Sequence, residues 1–167
     1  MKKTITRLYR HLITTKHTVR QAFPASTLKA VQAKIAEGEH MHRAEARMIV
    51  EASLNLQAVL NGVTSRQRAH ELFAHYRMWD TEENVGVLLY VNFADHKVEI
   101  ITDRAVGRAI PSTDWLAVCQ TMTQEFANGS FHESTLAAIE QMNHLLTAHF
   151  PDKDGKHNEI SDRPLML

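Results

Sequence analysis

Asp80, Glu82, Glu83 and Asn84 stand directly ahead of an apolar stretch at residues 85–91, and this acidic entrance is the part of the sequence richest in potential chemistry. Asp103 follows the next β-rich stretch, residues 97–102, in which Val98 and Ile100 alternate with Lys97 and Glu99. Ala94-Asp95-His96 between the two reads as a tight turn, so they pair as a hairpin. Antiparallel pairing carries Asp103 back to the end of the sheet at which the acidic run enters. Several oxygen donors converging on one rim are what a hard cation such as Ca²⁺ or Mg²⁺ requires, which makes Asp80, Glu82, Glu83, Asn84 and Asp103 the candidate metal ligands. The competing reading is a solvated acidic loop whose carboxylates cap backbone donors or pair with Arg77 and Arg104. A phosphatase asks for more: a metal-activated water or a nucleophile, and cations for the phosphoryl oxygens, for which Arg77, Arg104 and Arg108 are available. No P-loop, H-E-x-x-H or G-x-S-x-G is present, and no catalytic residue stands out.

A second polar cluster, Glu37, Glu39, His40, His42 and Glu45, spans a helix end and a loop. His-x-His shares one face only in a strand, so the cluster reads as a polar connection more readily than as a metal site. Cys119 falls on the apolar stripe of its helix and reads as a buried, inert thiol. The first twenty residues contain no acid. There Ile5, Leu8, Tyr9, Leu12 and Ile13 form an amphipathic stripe, with Lys2, Lys3, Arg7 and Arg10 on the remaining positions. Such a helix either packs its apolar face on the domain or lies on an anionic bilayer or a partner protein with the four cations near the charges.

These groups need a scaffold, and the hydrophobic periodicities supply one. Pro24 and Ser26 open a second helix ending near Gly38. Residues 47–52 form a first strand, Asn61-Gly62 a turn, and Thr64 with Gln67 a capping box ahead of a helix carrying Ala69, Leu72, Phe73 and Tyr76. The unbroken apolar run at 85–91 reads as a strand covered on both faces. Two helices follow, one stopping at Asn128-Gly129 and one opened by a second capping box, Ser130 with Glu133. The order α-α-β-α-β-β-α-α predicts an α/β fold, a three-layer α/β/α sandwich around a small mixed sheet, with an extra N-terminal helix. From residue 151 the pattern fades, and the expectation is a disordered tail over 151–167.

A length of 167 residues suits one domain. Nineteen basic and nineteen acidic side chains balance, which argues against nucleic-acid binding. A single cysteine excludes an intrachain disulfide and a multi-cysteine zinc site. The N-terminus does not read as a signal peptide, and no apolar run is long enough to span a membrane. The expected location is cytoplasmic, peripheral at the inner membrane if the first helix docks there.

The string Asp80-Thr81-Glu82-Glu83-Asn84-Val85-Gly86-Val87-Leu88-Leu89-Tyr90-Val91, with Asp95-His96-Lys97-Val98-Glu99-Ile100 and Asp103-Arg104, resembles the TPM domain. His42-Arg43-Ala44-Glu45-Ala46-Arg47-Met48-Ile49-Val50-Glu51 resembles its short, soluble proteobacterial branch. The resemblance covers roughly residues 23–150, leaving 1–22 as a basic amphipathic segment. It implies an α/β/α sandwich; a plant relative has been described as an acid phosphatase and some members bind a divalent cation. The sequence departs from the family at Val85 and at Asp103-Arg104-Ala105-Val106-Gly107, which replaces a glycine-rich turn. Two functions follow as expectations: a non-enzymatic binding or accessory module acting with a partner protein or at the membrane surface, or a phosphatase dependent on Ca²⁺ or Mg²⁺.

Overall fold

The strand at the centre of the sheet is apolar at nearly every position because both of its faces are covered. A computed structural model describes residues 2–152 and 158–167; the side chains of Lys2 and Lys3 lie outside the described residues, as does part of the tail. The described chain runs α1 (Lys2–Ile13), α2 (Lys16–Ala22), α3 (Ala25–Glu39), β1 (Glu45–Glu51), α4 (Leu56–Leu60), α5 (Ser65–His75), β2 (Gly86–Asn92), β3 (Lys97–Thr102), α6 (Arg104–Ala109), α7 (Ser112–Phe126), α8 (Phe131–His149) and β4 (Leu165–Met166). The strands lie in the order β3-β2-β1-β4. β1 and β2 are parallel, with Glu45 opposite Gly86, and α4 and α5 make the long connection that parallel pairing needs. β2 and β3 form the expected antiparallel hairpin, with Val87 opposite Thr102 and Asn92 opposite Lys97.

Val87, Leu89 and Val91 face a core built with α3, α7 and α8, where Val31, Ile35, Val118, Met122, Ile139 and Met142 are buried. Leu88 and Tyr90 face a second core with Ala69, Leu72 and Phe73 of α5. Each such aliphatic side chain contributes about 1.5–3 kcal/mol by leaving water. The two cores on opposite faces of one mixed sheet are the predicted α/β/α sandwich. Val19 of α2 is buried in the first core beside Phe23, so packing runs on across residue 22 without a break.

Local chemistry sets the element ends. Thr64 Oγ1 accepts the Gln67 N–H at 3.1 Å and Gln67 Oε1 accepts the Thr64 N–H at 2.8 Å, the capping box of α5. Ser130 differs from expectation. Its ψ of 63° is not the extended value of a capping residue, it makes no side-chain cap bond, and its hydroxyl donates to Glu133 instead, at 3.4 Å. At Gly86 a Cβ would sit 1.8 Å from the Met78 carbonyl oxygen, so only glycine lets the chain enter β2 there.

Residues 158–167 correct the expected disordered tail. Ile160 is buried in the second core, and Leu165 and Met166 pair in parallel with Ile49 and Val50 of β1. A two-residue strand is too short to show a period, and what orders it is the otherwise open side of β1. Among the described residues no helix is long and apolar enough to cross a membrane.

Candidate functional site

The hairpin brings part of the acidic entrance together. The Asp103 N–H donates to the Gly86 carbonyl at 2.8 Å and the Ala105 N–H to the Asn84 carbonyl at 3.2 Å, so residues 84 and 103–105 share one rim. Asp103 is buried and caps α6: its Oδ1 accepts the Arg104 N–H at 2.7 Å, while its buried Oδ2 has no hydrogen-bond partner among the described residues. Asn84 adopts a left-handed φ of 58°, which asparagine tolerates, and its Oδ1 accepts from Arg104 at 3.1 Å. Glu83 is ion-paired with Arg43. Glu83, Asn84, Arg104, Ala105 and Arg108 line a shallow cleft of about 290 Å³.

The other two candidates turn elsewhere. Asp80 is half exposed and pairs with Arg77 at 2.6 Å, one helical turn earlier in the chain. Glu82 is exposed, and its backbone N–H donates to the Glu159 carboxylate at 3.0 Å. Among the described residues no three His, Cys, Asp or Glu side chains converge to hold a metal ion. A divalent cation therefore does not fit the five residues as they are arranged: Arg77 and Arg43 pair with Asp80 and Glu83, and Asp80 and Glu82 leave the rim.

The second cluster also divides. Glu37 is exposed beside Lys34 at 3.3 Å, and His40 is exposed. His42 is fully buried, its Nε2 3.3 Å from Asn143 Oδ1. Glu39 and Glu45 instead face Asn158 and Asp162 across a small cleft. Glu39 Oε1 accepts the Ala46 N–H at 2.9 Å, and Glu45 Oε2 accepts the N–H groups of Glu159 and Ile160 at 3.1 and 2.8 Å. Burial, together with the neighbouring Glu45 and Asp162 carboxylates, pushes the Glu39 carboxyl up to about 9. Cys119 is buried as expected, and burial pushes its thiol up to about 12.

The feature the sequence concealed is an anchor under α1. Asp95, in the hairpin turn, receives Arg7 through Nε at 2.9 Å and through a terminal nitrogen at 2.7 Å. Arg10 stands 3.6 Å away and the buried His11 3.1 Å away. The Leu54 N–H donates to His11 Nδ1 at 3.0 Å, which gives the proton of the neutral ring to Nε2, the nitrogen facing Asp95. Burial opposes a charge on Asp95, but the hydrogen bonds from Arg7 and His11 outweigh it and hold the carboxyl below its ordinary value. Arg7 and Arg10 thus face the domain, contrary to the expectation that they present charge outward. With its polar face turned in, α1 turns its apolar face out: Ile5, Tyr9, Leu12 and Ile13 are 54–63% exposed. Leu56 and Leu60 of α4, which packs on α1, are exposed as well. The available signal was the acid-free first twenty residues, whose cations need a counter-ion if they are buried.

Two packed layers of helices about an open four-stranded mixed sheet define the class of fold. The same fold is found in the NMR structure of the BA42 protein from the psychrophilic bacterium Bizionia argentinensis, with a TM-score of 0.75 at 22% identity, covering 86% of this chain and 94% of that one. The model of the TPM domain matches residues 19–145, and the chain belongs to that family. No curated protein matches it.

Proposed function

We propose that this TPM domain is a non-enzymatic binding module that docks on anionic membrane surfaces through the outward face of α1. The observation that carries the reading is the inverted helix: Ile5, Tyr9, Leu12 and Ile13 face water while the polar side of α1 is fastened to Asp95. Contiguous apolar surface of this kind is uncommon on a protein that acts alone. Its surroundings are cationic. Residues 1–22 carry Lys2, Lys3, Arg7, Arg10, Lys16 and Arg20 and no acid. Lys16 and Arg20 are exposed and form no ion pair among the described residues. Arg7 and Arg10 set the orientation of the helix; the other cations supply attraction to headgroups, at about 1 kcal/mol each close to the surface. On this reading the protein is cytoplasmic and peripheral to the inner membrane.

Vesicle flotation tests it. Binding is expected to vesicles containing phosphatidylglycerol, to fall with salt, and to be weak on neutral phosphatidylcholine. Leu12→Glu, at an exposed position, is expected to weaken binding about tenfold or more. Equal, salt-insensitive partition to both vesicles, or none to either, removes the reading. The alternative, a phosphatase, rests on Arg104 and Arg108, which line the shallow cleft at the rim where residues 84 and 103–105 meet. Turnover of a phosphomonoester with Mg²⁺ or Ca²⁺, abolished by Arg108→Ala in a protein that stays folded, would displace the binding reading.

A further inference from the structure

β3 is an edge strand of the sheet, and it borders a groove of about 660 Å³ whose other wall is α7. The register identifies the backbone groups that face this groove. Asp103 donates to Gly86 across the hairpin, so those two form a hydrogen-bonded pair. Bonded and non-bonded pairs alternate along an antiparallel ladder. Ile101 with Leu88, Glu99 with Tyr90 and Lys97 with Asn92 are therefore bonded, while Val98, Ile100 and Thr102 point their N–H and C=O groups away from β2. Among the described residues no other backbone group takes these up.

Two donors at this edge lack a good acceptor. The Ile100 N–H faces the Cys119 sulfur, a neutral thiol and a weak acceptor. Trp115 is 7% exposed and lines the groove, and among the described residues its Nε1 has no hydrogen-bond partner. A carbonyl entering the groove would relieve either one.

We propose that the groove between β3 and α7 binds an extended peptide segment of a partner protein, which adds to the sheet as a fifth strand. Main-chain bonds to Val98, Ile100 and Thr102 supply the pairing, and alternate side chains of the peptide reach the two sides of the sheet. On the α7 side Val98, Ile100, Trp115 and Leu116 form an apolar wall, with Leu116 58% exposed, so that side takes apolar residues. On the other side Arg66 is held by Glu99 at 3.2 Å, whereas the exposed Lys97 has no ion-pair partner among the described residues, so that side takes an acid. The occupant is a bare strand alternating apolar and acidic residues. A second copy of this chain fits the groove less well, because its own β3 arrives with α5 and α7 packed against it. The groove excludes α1, so this site is independent of membrane docking.

The test is a titration of ¹⁵N-labelled protein with an acetylated, amidated heptapeptide alternating valine and glutamate. The expected result is saturable movement of the Val98, Ile100 and Thr102 amides and a downfield shift of the Trp115 indole N–H. The valine–lysine counterpart is expected to bind about tenfold more weakly. Leu116→Glu, at a surface position that leaves the core intact, is expected to cost a similar factor. An unmoved Trp115 indole at millimolar peptide overturns the proposal, as do shifts concentrated away from β3 and α7. It is equally overturned if the protein alone sediments as a dimer with those three amides already protected.

Discussion

Asp95 fixes the orientation of an entire helix with one carboxylate. Removing its charge by Asp95→Asn leaves the Arg7 guanidinium, at 20% side-chain exposure, without its counter-ion. The expected cost to α1 docking is about 2–3 kcal/mol, read as faster amide hydrogen exchange in α1 with little change in the sheet. The pH dependence has a definite sign. A carboxyl held below its ordinary value of about 3.9 stabilises the folded state above that pH and loses its contribution as pH falls through the lower, folded-state value. Undocking of α1 is therefore expected only in strongly acidic solution and is absent near neutrality. A turn residue in sequence, Asp95 acquires this role solely because the hairpin tip reaches α1.

Among the elements, β2 carries the tightest constraint. Gly86→Ala would drive a methyl group into the Met78 carbonyl, and an expected loss of about 2–3 kcal/mol should appear as a lower urea midpoint with an unchanged slope. Elements of this kind were legible in sequence. The unbroken apolar run of β2 announced coverage on both faces, and Thr64 with Gln67 announced the start of α5. The hairpin register alone was enough to bring Asn84 and Asp103 to one rim. It did not predict where Asp80 turns, because a loop residue follows its nearest opposite charge, here Arg77 three positions back. α2, α4 and α6 were missed for want of length, since helices of five to seven residues barely complete a period. The inward polar face of α1 was hidden because periodicity identifies two faces of a helix without saying which one meets the domain.

At the scale of the whole molecule, the C-terminal segment closes the sheet over a group that resists ionisation. Glu39 lies against Asp162 and Glu45 where residues 158–162 cross the end of β1. Its folded-state value of about 9 exceeds the ordinary carboxyl value of about 4.3, so the folded chain holds a proton that the unfolded chain releases. Stability is expected to decline as pH rises between those two values. Glu39→Gln, which keeps the shape without the charge, is expected to flatten that decline and to raise the melting temperature most at the alkaline end. Scanning calorimetry from pH 5 to 9 on both proteins measures it; parallel profiles would show that Glu39 is not the group responsible.

The two borders of the sheet are finished differently. Along β1, Glu39 occupies the Ala46 N–H, and Leu167 bonds both Val50 and Ala52, whereas β3 ends with its main chain unclaimed. Among the described residues, any lateral association is thus expected to begin at β3. The helices α5 and α7 that flank this edge keep two folded copies from bringing β3 against β3, so the unclaimed main chain does not by itself lead to fibrils.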